Sequence, residues 1–175
     1  MMRIVPGANR EVEMVTTIRE NPSQTKTPYH SPIPFNEDRI RAAAVYCSDG
    51  RYGEQFDDFL HNSLELPRYD RLAIAGGPGC LAGHFMAYRE AEGAAEHLRF
   101  LARVHKLERV VLIQHEGCAF YREVLNARPA EALRMQTEDL AKAAFRVREL
   151  AWGLSVEAYL CRRQDQALWF EPVEL

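Results

Sequence analysis

Three short, unbroken apolar runs constrain this chain most: Ala42-Ala43-Ala44-Val45-Tyr46, Leu72-Ala73-Ile74-Ala75 and Val110-Val111-Leu112-Ile113. A strand with one wet face alternates polar and apolar residues, whereas a strand covered on both faces stays apolar throughout, as in a parallel sheet. Between the second and third runs, Ala87, Ala91, Ala94, Ala95, Leu98, Leu101 and Ala102 recur at spacings of three and four. Charged residues fill the gaps, which is the pattern of an amphipathic helix. A second helix is predicted over 129–151, with Leu133, Leu140, Ala144, Val147 and Ala151 on one face, and a shorter one over 54–64. The chain closes with two β-rich runs, 156–160 and 167–170, around a polar turn at 162–166. Strands alternating with helices predict an α/β fold: a mainly parallel central β-sheet flanked by helices, ending in an antiparallel strand or hairpin.

Composition sets the outer bounds. A length of 175 residues suits one domain, and 47% apolar with 27% charged residues is ordinary globular usage. With 22 Lys+Arg against 25 Asp+Glu the net charge is −3. No concentrated basic face for nucleic acid is expected from that balance. No apolar run approaches the ~18–20 residues that span a bilayer, and the first residues carry no apolar core of a signal peptide. Membrane and nucleic-acid partners are therefore not expected. Residues 1–35 hold Pro22, Pro28, Pro32 and Pro34 among polar residues and read as an irregular N-terminal arm, leaving 36–175 as the folded domain. Without a signal peptide, the four cysteines, Cys47, Cys80, Cys118 and Cys161, are expected in a reducing cytoplasm, where thiols serve as ligands, catalysts or core residues.

In parallel α/β sheets, ligands gather beyond the carboxyl ends of the strands. Three segments occupy such places: Cys47-Ser48-Asp49-Gly50-Arg51, Gly76-Gly77-Pro78-Gly79-Cys80 and His115-Glu116-Gly117-Cys118. Either Cys47 or His115 taken alone reads as a packed core residue. If the strands that they end are neighbours, Cys47, His115 and Cys118 converge as a Cys₂His set, the soft thiolate and imidazole donors that zinc prefers. Asp49 either fills the fourth zinc position or pairs with Arg51, leaving that position to water.

Other readings of these segments are weaker. Arg51 and Arg122 each follow a cysteine by four residues, too few for a phosphatase loop to wrap a phosphate. The glycine run lacks the Lys-Ser/Thr of a P-loop and reads as a tight turn where backbone passes close to another group. Cys80 and Cys161 have no ligand at a suitable spacing, and His84, His97 and His105 read as solvated or packed, with His84 a minor candidate for a proton relay.

The two motifs, Cys47-x-Asp49-x-Arg51 and His115-x-x-Cys118 in this order, resemble those of the β-class carbonic anhydrases. The resemblance covers roughly residues 40–172, including the glycine turn and the terminal strand pair. It implies a zinc lyase that hydrates carbon dioxide reversibly to bicarbonate through zinc-bound hydroxide, working as a homodimer or larger homo-oligomer. It also implies Cys47, His115 and Cys118 as zinc ligands, with Asp49 and Arg51 as the catalytic dyad that holds or releases the fourth position. The chain departs from the family pattern at Ala119 and Phe120, where two glycines are usual. It departs again at Ala75-Gly76-Gly77-Pro78-Gly79 in the middle turn, and at Asp38 and Arg39 near the place of a substrate-binding glutamine. These departures imply a remodelled substrate pocket. They leave two alternatives: a zinc hydrolase of carbonyl sulfide or carbon disulfide, or a non-catalytic zinc-stabilised binding protein.

Overall fold

The structure is a computed structural model and describes residues 27–175. It divides into residues 1–36 and residues 37–175. Of the expected arm, residues 1–26 lie outside the described residues; 27–35 form neither helix nor strand.

Residues 37–175 build one five-stranded sheet from β1 (Ala42–Cys47), β2 (Asp70–Ile74), β3 (Arg109–His115), β4 (Ser155–Gln164) and β5 (Ala167–Val173). The spatial order is β2-β1-β3-β4-β5. The first four strands run parallel, and β5 returns antiparallel to β4. All six residues of β1 are buried, as are six of the seven in β3. That is why both strands read as unbroken apolar runs.

Alternate residues feed two cores. Ala43, Val45, Val110 and Leu112 pack with α2 (Tyr88–His105) and α4 (Pro129–Leu150). Ala44, Tyr46, Val111 and Ile113 pack with Phe56 of α1 (Gly53–Asp58) and with Phe59 and Leu60 of the π-helical turn that continues it. Phe59 stacks on Phe170 of β5, ring centroids 4.0 Å apart, and so ties the returning strand to this face. A short α3 (Ala119–Glu123) follows Cys118. No helix among the described residues is long and apolar enough to cross a membrane.

The α/β architecture is as expected from the pattern, with two local differences. The polar turn predicted at 162–166 is only two residues long, because Arg163 and Gln164 pair with Leu168 and Ala167 and extend the hairpin. Asp165 takes φ 54°, a left-handed conformation that Asp tolerates in such tight turns. The glycine run does not lead directly into a helix of the α type. It forms a 3₁₀ segment, Gly77–Ala82, before α2 begins.

Gly77 presses on the end of β1. Its φ is +50°, and a Cβ there would meet the Cys47 backbone nitrogen at 2.8 Å. Neither the left-handed backbone nor the close approach tolerates a side chain. Gly77→Ala is expected to destabilise the domain by about 2 kcal/mol or more, read as a lower urea midpoint; an unchanged midpoint contradicts this packing.

Candidate metal centre

Cys47 is the last residue of β1 and His115 the last of β3, and these strands are hydrogen-bonded neighbours. Gly117, at φ 72°, turns the chain back so that Cys118 faces the same point. The ligand atoms of Cys47, His115 and Cys118 all lie within 4.8 Å of one another, and all three residues are buried. The two sulfurs are 3.7 Å apart.

The donor chemistry fits a metal ion. His115 Nδ1 donates to the Glu116 carbonyl at 3.0 Å, which leaves Nε2 carrying a bare lone pair. That Nε2 is buried and has no hydrogen-bond partner among the described residues. An imidazole fixed by one ring nitrogen and free at the other is how metal-ligating histidines are held. The hydrogen bond from the Cys118 thiol pulls Cys47 well below the usual thiol range, against the effect of burial, and His115 adds to it. The same bond and burial push Cys118 up. The backbone amides of Asp49 and Phe120, each two residues on, pull the Cys47 and Cys118 thiols down. Those amides favour the thiolates that metal binding requires.

Asp49 is not among the converging atoms. Its carboxylate is gripped by Arg51, with Nε at 2.9 Å from Oδ1 and Nη2 at 2.5 Å from Oδ2. The Arg51 backbone N–H adds a bond of 3.1 Å to Oδ1. This fork lowers the Asp49 carboxyl to about 2. Of the two alternatives for Asp49, the structure displays the pairing with Arg51.

Several supporting residues were not singled out in the sequence. Tyr52 lays its ring against His115, centroids 4.2 Å apart, and its hydroxyl donates to the same Glu116 carbonyl at 3.1 Å. Gln136 of α4 donates to the His115 carbonyl at 2.6 Å. A second chain of polar contacts lies behind β3. Gln114 Nε2 donates to the Gly76 carbonyl and to the Tyr121 hydroxyl, which donates to Asp139 Oδ2 at 2.9 Å. His84 Nε2 sits 2.7 Å from the same oxygen, and Lys142 reaches Oδ1 at 3.3 Å. Gln136 and Asp139 carried a signal: with Leu133, Leu140 and Val147 they fall on the buried stripe of α4, where polar residues are unusual.

The remaining candidates fall elsewhere. Cys80 and Cys161 are buried free thiols, and burial pushes each up to about 12. His97 is exposed, and His105 pairs with Asp70 at 2.7 Å. Asp38 and Arg39 precede β1, at the opposite end of that six-residue strand from Cys47. There Arg39 pairs with Glu108, and Asp38 lies 3.6 Å from Arg68. Phe120 fills the space over Gly76, where a Cβ would fall 2.4 Å from its ring.

No protein-family profile and no curated protein matches the sequence. Solved structures similar to this one are β-carbonic anhydrases. Isoform I from the protozoan Trichomonas vaginalis is 14% identical, with a TM-score of 0.48 over 80% of this chain and 87% of its own. The enzyme of the fungal pathogen Aspergillus fumigatus is 16% identical, with a TM-score of 0.42 over 76% of each chain.

Asp139 is 1% exposed and satisfied by three donors. Asp139→Ala strands the Tyr121 hydroxyl in the core. It is expected to lower unfolding free energy by about 2–4 kcal/mol in urea titrations. A loss below about 0.5 kcal/mol, the scale of an ordinary surface change, would show the chain carries no stability.

Proposed function

We propose that the chain is a zinc-dependent lyase, of the carbonic anhydrase type, that interconverts carbon dioxide and bicarbonate. The observation that carries this reading is the buried convergence of Cys47, His115 and Cys118, with His115 Nε2 lacking a hydrogen-bond partner among the described residues. Two thiolates and an imidazole at the end of a parallel sheet are a zinc donor set with room for a fourth ligand. Cys47, His115 and Cys118 would hold a zinc ion, which would supply Lewis acidity and make water a better nucleophile near neutral pH.

The chain's own groups do the rest. Asp49, kept ionised by Arg51, accepts a hydrogen bond from the attacking water and aims its lone pair at the electrophilic carbon. Arg51 holds that carboxylate in one plane through a two-pronged contact. Tyr52 and Gln136 keep the His115 ring and backbone in place. Cys118 and Arg51 both line a cavity of about 450 Å³, one wall of which, at the start of α4, is apolar through Ala132 and Leu133.

The four free thiols suit a reducing cytoplasm. The exposed Phe85, Met86 and Tyr88 suit a contact between subunits, so a cytoplasmic homodimer or larger homo-oligomer belongs to the same reading.

Purified protein is expected to hold one zinc per chain and to hydrate carbon dioxide in stopped-flow assays. Cys118→Ser should lose most of the metal and the activity, whereas Asp49→Ala should keep the metal and lose about 100-fold or more in kcat. A zinc-replete chain with no hydration above the uncatalysed rate sinks the reading. Sulfide release from carbonyl sulfide in that case selects the hydrolase, and no turnover at all selects the binding protein.

A further inference from the structure

The cavity beside Cys118 is larger than carbon dioxide requires. It holds about 450 Å³, whereas a water molecule's share of the liquid is about 30 Å³ and a triatomic gas needs little more. Its size falls in the ~300–1,000 Å³ range of pockets that take organic small molecules.

Its charges also leave a remainder. Arg51, Arg122, Arg163 and Glu116 line it. Arg51 is neutralised by Asp49, and Arg122 Nε lies 2.6 Å from Glu123. The Glu116 carboxylate accepts from Arg162 Nε at 3.2 Å and from the Arg163 backbone N–H at 3.3 Å. The Arg163 guanidinium has no hydrogen-bond or ion-pair partner among the described residues. One uncompensated cation therefore faces a space whose other wall, at the start of α4, is apolar through Ala132 and Leu133. A guanidinium is shaped to grip a carboxylate by two parallel bonds. The apolar wall suits a short carbon body.

We propose that this cavity binds small organic monocarboxylates, with Arg163 gripping the carboxylate and the start of α4 covering the carbon chain. The binding stands on the cavity alone. Its consequence, that such acids block the approach to Cys118 and compete with carbon dioxide, rests on the proposed hydration activity.

The test is calorimetric titration of the full chain, zinc-loaded and zinc-free, with sodium acetate and sodium butyrate. Each added methylene against an apolar wall strengthens binding about fourfold, so butyrate should bind roughly tenfold or more tightly than acetate. Arg163→Gln should weaken butyrate about tenfold, with Arg163→Lys between the two. Zinc-free protein should still bind butyrate. Equal affinities for the two acids overturn the proposal, as does a variant indistinguishable from the parent. Binding that vanishes with zinc yet ignores Arg163→Gln also overturns it, because the acid then sits on the metal. Carbon dioxide hydration without butyrate binding removes this proposal and leaves the lyase reading; butyrate binding without hydration does the reverse.

Discussion

The parallel pairing of β1 with β3 is the constraint on which the candidate centre depends. β1 carries β2 on one side and β3 on the other, so the chain leaves the two neighbouring strands toward opposite flanks. At such a point the loops diverge and a crevice opens beyond the carboxyl ends. Cys47 and His115 terminate those two strands, and the register that aligns Tyr46 with Ile113 brings their ends together. A change of one residue in that register moves a ligand to the wrong face of the sheet. The continuous burial of both strands enforces it.

Polar contacts around this crossing hold it without occupying the ligand atoms. The Glu116 carbonyl receives both His115 Nδ1 and the Tyr52 hydroxyl, while its backbone N–H donates to Cys161 on β4 at 2.8 Å. Gln136 fixes the adjacent carbonyl from α4. The chain from Gln114 through Tyr121 to Asp139 and His84 joins β3, α3, α4 and the segment before α2. Buried polar contacts of this kind favour one arrangement, and each loss of a partner is costly; Gln114 Oε1 itself has no partner among the described residues. His115 Nε2, buried and without a hydrogen-bond partner among the described residues, is the ring nitrogen left to face the two sulfurs.

Much of this was legible in the sequence because two-sided burial writes itself as unbroken apolar runs, as in β1 and β3, and amphipathic burial as the stripes of α2 and α4. The convergence of Cys47, His115 and Cys118 was legible because each sits at or just beyond a strand end. Tyr52 was not, since its role depends on a tertiary approach to His115 that no spacing encodes. Gln136 and Asp139 were legible only as polar residues on the buried stripe of α4, without their partners, and the 3₁₀ segment after Gly76 was hidden because its shape answers to the Cys47 backbone rather than to its own side chains. Asp38 and Arg39 lay near the site in sequence and a strand's length away in space. The guanidinium of Arg163, without a hydrogen-bond or ion-pair partner among the described residues, emerged only once the extended hairpin placed it beside the cavity.

X-ray absorption at the zinc edge of the loaded protein tests the centre most directly. Two sulfurs and one imidazole nitrogen in the first shell are expected, with one sulfur lost in Cys47→Ser. A shell without sulfur, or one unchanged by that substitution, would contradict the assembly of one metal site from the ends of β1 and β3.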